Sequence, residues 1–176
     1  MCDVGGSGRQ GREVATLVAR LGLRPHPEGG YYREIHRSAV QVIEAGDRRA
    51  PKSAGTGIYY LLPEGTFSAW HVVRGSDEGW HRYAGGVLEL HLLDPDTRLH
   101  MRHLLTDDLD RGEPSATVPA GVWQAARPVP GEGWVLCGCT VAPGFDFADF
   151  ELGNRRTLLE AFPGHAGIVT QLTPSG

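Results

Sequence analysis

Short stretches of this chain alternate apolar and polar residues with a period of two: Tyr31 to His36, Gly57 to Leu62, Phe67 to Val72, Trp80 to Tyr83, Val87 to Leu93, Arg98 to Leu104 and Trp134 to Val141. Between them stand turn-forming residues, as in Pro63-Glu64-Gly65, Asp94-Pro95-Asp96 and Pro130-Gly131-Glu132-Gly133. Successive side chains of a strand point to opposite faces, so each segment covers a core on one side and needs a second sheet or a closed barrel to complete it. The fold class expected is all-β, a sandwich or barrel. Helical spacing is confined to the ends. Val14, Leu17, Val18 and Leu21 form an apolar stripe over Arg12 to Leu23 that Gly22 stops, Asn154 can cap a helix running to Phe162 before Pro163-Gly164, and a short helical piece follows from His165 to Leu172. Residues 1–11 are Gly-rich and polar and read as a flexible tail, 12–176 as a single domain, and Ala39 to Gly55 as a long exposed loop.

A chain of 176 residues, 40% of them hydrophobic, can enclose one core and a small-molecule cavity. Its 17 Lys and Arg against 21 Asp and Glu leave a net charge of −4, which lacks the basic surface that a phosphate backbone requires, so no nucleic-acid partner is expected. Cys137 and Cys139 would point to one strand face, a poor arrangement for a disulfide, and no C-x-x-C pair suggests structural zinc. A reducing, cytoplasmic location is expected. Met1 to Gly11 has no apolar signal-peptide core, and no window approaches the roughly 20 apolar residues of a membrane helix.

The chemistry concentrates between Gly65 and Gly85, where His71 follows Gly65 after five residues and Glu78 stands seven positions beyond His71. A second piece holds Pro119, Gly121 and Gln124. His71 and Glu78 lie on successive strands joined by Arg74-Gly75-Ser76-Asp77, so a turn can bring both to one inner face. With the amide oxygen of Gln124 they offer a possible but incomplete site for a divalent transition metal, which ordinarily takes three or more protein ligands. The same residues can instead hydrogen-bond one another in a polar interior. Glu78, Trp80 and Arg82 share one face of their strand and His81 and Tyr83 the other; either face can look inward.

Several blocks read together carry a resemblance: TGIYYLLP from Thr56, FSAWH ending at His71, SDEGWH ending at His81, LELHLLD from Leu88, VPAGVWQAA from Val118 and GCTVAPGFDFADFE from Gly138. In that order they resemble the small cupin family of domain of unknown function 985, from about Leu21 to near the C-terminus. The resemblance implies a double-stranded β-helix, the cupin jelly roll, similar in fold to dTDP-sugar 3,5-epimerases and paired as a homodimer. Against the cupin metal signature, the second His of the usual pair falls at Val73, and Gln124 stands where the second motif would supply a His. Leu23 to Glu34 also matches. There His26 and Glu28 precede Gly29-Gly30, which allow a sharp bend, and a strand face bearing Tyr32 can edge a pocket mouth. Gly79 and Arg82 depart from the expected apolar and aromatic residues and suggest a wider, more polar pocket, with Arg82 pairing to an anionic substrate if it faces inward.

Three functions follow from these residues. A metal-independent epimerase or isomerase would use His71 or His81 as base and Glu78 or a Tyr as acid, with Glu28, Tyr32, Phe67, Trp80, Arg82, Trp123 and Gln124 holding a sugar-like or carbonyl substrate. A residual metal site of His71, Glu78 and Gln124 would support oxygenase, isomerase or lyase chemistry. A binding module would hold or sense a small molecule without reaction.

Overall fold

The computed structural model describes residues 5–43 and 51–174. Helix α1 (Gly5–Leu21) leads into β1 (Arg24–Pro25), β2 (Tyr31–Arg37), β3 (Gln41–Val42), β4 (Lys52–Ser53), β5 (Thr56–Leu62) and β6 (Ser68–Val73). Strands β7 (Asp77–Gly85), β8 (Leu88–Leu93), β9 (His100–Leu105), β10 (Ser115–Val118), β11 (Trp123–Pro128), β12 (Val135–Ala142) and β13 (Phe150–Leu152) follow, then helices α2 (Arg155–Ala161) and α3 (Ala166–Gln171). They form a six-stranded sheet in the order β1-β2-β5-β12-β7-β10 facing a five-stranded sheet in the order β13-β6-β11-β8-β9, with β3 and β4 as a separate ribbon. The ladders of both sheets are antiparallel throughout, and neighbours distant in sequence alternate in the jelly-roll manner.

The period-two pattern explains the layers. All six residues of β8 are buried, because its two faces have different covers. Leu88, Leu90 and Leu92 enter the core between the sheets with Tyr60, Leu62, Trp80, Leu105 and Val135, whereas Leu93 joins Trp70, Ala125, Leu158, Phe162, Val169 and Leu172 beneath the C-terminal helices. Helices α2 and α3, of 7 and 6 residues, are too short to persist alone. They hold because each of these large apolar side chains contributes about 1.5–3 kcal/mol on burial. Asn154 caps α2 as its sequence suggests, its side-chain oxygen accepting from Thr157 N–H.

Three local expectations change. The first helix begins at Gly5 rather than Arg12, so 5–11 belongs to a helix and not to a tail; residues 1–4 lie outside the described residues. A tertiary contact accompanies the extension, Gln10 lying against Gly133, and Glu13, inside the expected helix, accepts from Trp134 Nε1 at 3.1 Å. The loop expected over Ala39 to Gly55 contains the β3–β4 ribbon, with 44–50 outside the described residues. Cys137 and Cys139 are free and buried in the inter-sheet core, on one face. No helix among the described residues is long and apolar enough to cross a membrane.

Candidate functional site

At one end of the sandwich the inter-sheet core gives way to a cavity of about 410 Å3, within the range of small-molecule sites. His26, Glu28, His71 and Glu78 line it together with Cys139, Arg24, Glu34, Arg37 and Asp146 add further charged side chains, and Tyr32, Ile58, Val73, Val141 and Phe150 form apolar walls. Each arrives by a different route.

His26 and Glu28 lie in the turn between β1 and β2, which folds back through His26 N–H to Gly30 O and Gly29 N–H to His26 O. Gly29 and Gly30 are required there. Both have positive φ, 114° and 65°, and a Cβ on Gly29 would sit 2.2 Å from the carbonyl oxygen of Phe67. That close approach lets Ala69 N–H bond to Glu28 O at 2.8 Å and carries the Glu28 side chain inside, where Ser68 Oγ donates to it at 3.0 Å. His71, on β6, is directly opposite Gln124 of β11, and Glu78, on β7, is opposite Val118 and Val141. Glu78 and Trp80 therefore face inward.

The hydrogen bonds assign the protons. His71 Nδ1 lies 2.8 Å from the carbonyl oxygen of Ala69 and 3.2 Å from Glu28 Oε2. A carbonyl only accepts, so Nδ1 carries the hydrogen and Nε2 is left with a lone pair. Among the described residues Nε2 takes no protein hydrogen bond and is not sealed off, in a side chain that lines the cavity. The Ala69 carbonyl, which takes the Nδ1 hydrogen, orients this base, and the Glu28 carboxyl stands beside it at 3.2 Å as an ion-pair contact.

Gln124 is assigned by its neighbours in the same way. Trp80 Nε1, a donor only, lies 2.7 Å from Gln124 Oε1, so the amide nitrogen is the end that reaches Glu78 Oε2, also at 2.7 Å. Both bonds cross from one sheet to the other. Gln124 thus presents N–H, not oxygen, to the site, which removes it as a metal ligand. Val73 presents an alkyl wall where the second His would stand. No group of three or more His, Cys, Asp or Glu among the described residues could hold a metal ion. The donor set of His71, Glu78 and Gln124 does not fit the metal site expected from the signature.

Burial dominates the electrostatics. It raises Glu28 above the ordinary carboxyl value, opposed by His26 and by the hydrogen bond from Ser68. It raises Glu78 to about 7, opposed by His71 and by the hydrogen bond from Gln124, and reinforced by Glu28. The two imidazoles move the other way: burial lowers His71 against the pull of Glu78, and lowers His26 against that of Glu28. Near neutral pH the site holds neutral imidazoles and a carboxyl poised to give or take a proton.

Of the residues expected at the site, His71, Glu78, Glu28 and Tyr32 line the cavity, and Gln124 and Trp80 stand directly behind it. The others do not come to it. His81 turns to the outer face of β7, 3.0 Å from Thr140 Oγ1, because strand alternation opposes it to Glu78 and Trp80. Arg82 is held by the carbonyls of Gly85 and Gly86 and by Asp107, and Gly79 packs against Thr140 and His81, so neither widens the pocket. Phe67 and Trp123 pack into the cluster under the C-terminal helices rather than offering a ligand platform. The cations lining the cavity are Arg24, its guanidinium 5.0 Å over the Tyr32 ring, and Arg37, which is paired with Glu34.

Cys139 and Phe150 were missed because long-range pairing delivers them: Cys139 pairs with Trp80 and Phe150 with Val73. For His26 the sequence carried a signal, the bend-permitting Gly29-Gly30 just beyond it.

With this geometry in hand, comparison with known proteins locates the chain. The model of the cupin superfamily family DUF985 matches residues 15–153. A hypothetical protein from Leishmania major is similar at 34% identity over 92% of this chain and 98% of that one, with a TM-score of 0.83. A protein from Shewanella oneidensis is similar at 33% identity over 92% and 97%, with a TM-score of 0.80. The capsular polysaccharide assembling protein CapF from Staphylococcus aureus, at 12% identity over 74% of this chain and 33% of its own, with a TM-score of 0.54, shares the fold alone. No curated protein matches the chain. The chain belongs to the DUF985 family of the cupin superfamily.

Proposed function

We propose that this cupin is a metal-independent acid/base enzyme that moves a proton at carbon in a small molecule, an epimerase or isomerase in reaction type. The observation that carries the reading is His71, oriented by the Ala69 carbonyl with the Glu28 carboxyl beside it and with Nε2 unpartnered in the cavity. In this reading the Ala69 carbonyl orients His71, His71 Nε2 takes the proton, Glu28 faces the imidazolium that forms, and Glu78, steadied by Gln124, gives a proton back. The apolar walls strengthen these interactions by excluding water. Arg24 at the mouth suits an anionic or hydroxylated end of the ligand.

The test is proton NMR in D2O of a library of sugars, hydroxy acids and oxo acids incubated with the wild type and with His71→Ala. The expected result is deuterium incorporation at carbon by the wild type, lost in the variant while ligand binding persists. Equal incorporation by both proteins ends the reading, and a ligand bound tightly but never exchanged leaves a binding module.

The homodimer expected from the family is proposed as well, with Tyr83, half exposed beside Tyr59 on the outer sheet face, available to it. Sedimentation of a monomer at micromolar concentration refutes it.

A further inference from the structure

The Glu28 carboxyl lies between two imidazoles, and they are not equivalent. His71 Nδ1 is 3.2 Å from Glu28 Oε2, and His26 Nδ1 is 3.7 Å from Glu28 Oε1. Both rings therefore turn their Nδ1 edge to the carboxyl and their Nε2 edge away from it, and both pack on the same aromatic ring, Phe150, at centroid distances of 5.5 Å and 6.3 Å. Backbone groups then fix opposite tautomers. His71 Nδ1 faces a carbonyl, which only accepts, whereas His26 Nδ1 receives the backbone N–H of Glu28 at 3.3 Å, which only donates. In the neutral state His71 presents a lone pair at Nε2 and His26 presents N–H. Among the described residues neither Nε2 has a protein partner or is sealed off, and both side chains line the cavity.

A lone pair and a fixed neutral donor at the floor of one cavity match one kind of ligand, an oxygen acceptor beside a C–H that is to be removed. We infer that His26 is a second catalytic residue, its Nε2–H holding the carbonyl oxygen of a substrate whose neighbouring C–H gives its proton to His71, so that the substrate class is small α-protic carbonyl compounds. This rests on the proton-transfer reading and deepens it. The steps balance. His71 Nε2 forms an N–H bond as the C–H bond breaks, and the released pair becomes the C=C of an enolate. The carbonyl oxygen carries the charge against His26 N–H, and a proton from Glu78 or from His71 restores C–H. A donor aimed at the oxygen that gains charge stabilises the transition state more than the ground state. A neutral imidazole suits that task because it donates without giving up its proton outright. Burial, which lowers both histidines, keeps them neutral at pH 7.

Two measurements test the proposal. Long-range 1H–15N NMR on the whole protein at pH 7.5 reads the tautomers directly: Nε2–H for His26 and Nδ1–H for His71 are expected, and Nδ1–H for both overturns it. The second uses deuterium exchange from D2O into dihydroxyacetone, fructose, fructose 6-phosphate and 2-oxobutyrate, with wild type, His71→Ala, His26→Phe and His26→Gln. Phe keeps an aromatic ring among Tyr32, Tyr60 and Phe150 but has no donor, whereas Gln restores an N–H. The expected pattern is exchange into at least one carbonyl compound, with kcat reduced about 100-fold in His26→Phe at nearly constant KM, and largely rescued in His26→Gln. Exchange lost in His71→Ala but intact in His26→Phe refutes the role of His26 and leaves His71 standing as the base. Exchange into none of these compounds refutes the carbonyl substrate class, while the wider library decides the proton-transfer reading separately.

Discussion

Glu78 is a carboxyl held inside the protein at a cost, and replacing it by Gln should reveal that cost as a function of pH. In the folded chain its pKa stands at about 7 against an ordinary value of 4.5, with burial as the largest cause. At about 1.4 kcal/mol per pKa unit, this gap corresponds to about 3 kcal/mol. The sign follows from proton binding. Below 4.5 the carboxyl is protonated in both states and imposes no penalty. As pH rises toward about 7, the unfolded chain ionises while the folded chain keeps its proton, and stability falls until the folded carboxyl ionises too. Glu78→Gln preserves shape and an oxygen that can accept from Gln124, but cannot ionise. The variant should match the wild type within about 1 kcal/mol near pH 4 and exceed it by about 3 kcal/mol above pH 8. Urea unfolding of both proteins at intervals from pH 4 to 9 measures this, with differences in midpoint multiplied by a common m-value. A difference that stays flat with pH, or that grows toward acid, refutes the reasoning. A flat difference would mean that Glu78 titrates as an ordinary solvated carboxyl, and one growing toward acid that the fold favours its ionised form.

Gln124→Leu removes a hydrogen bond that stabilises ionised Glu78, so the alkaline limb of the pH–rate profile, expected near 7 in the wild type, should move to higher pH. The same substitution orphans Trp80 Nε1, and urea unfolding should show a loss of about 1–3 kcal/mol. Glu28→Gln removes the carboxyl that faces the imidazolium formed on His71; steady-state kinetics should give a kcat about 100-fold lower with KM little changed. Asn154→Ala removes the cap of α2 and should cost about 1 kcal/mol in urea unfolding, with no change in the pH–rate profile.

The longer strands β2, β5 to β9 and β12 were legible because each is announced locally, by alternation and by Gly, Pro and Asp at the turns, whereas β11 and the short β1, β3, β4, β10 and β13 were not among the alternating segments. The C-terminal helices were legible for the same reason, from Asn154 and Pro163-Gly164. The start of α1 was not, since Gly-rich 5–11 has poor intrinsic helix propensity and meets Gly133, through Gln10, from the far end of the chain. At the site, motif spacing pointed to His71 and Glu78, but the face of β7 could not be read, because Glu78 with Trp80 and His81 with Tyr83 alternate equally well.

From sequence alone came the all-β class, the family and a cavity-sized core with His71 and Glu78 near it. These follow from short-range periodicity and from blocks of residues read in order. The tertiary structure alone decided which partner each polar atom has: Trp80 turning the Gln124 amide away from metal ligation, Glu28 reaching His71 across the fold, and opposite tautomers for His26 and His71. The first two join segments far apart in the chain, and the tautomers are set by backbone groups two residues away whose direction the fold decides. A proton's position is set by the atom within about 3 Å of it, which no sequence spacing specifies.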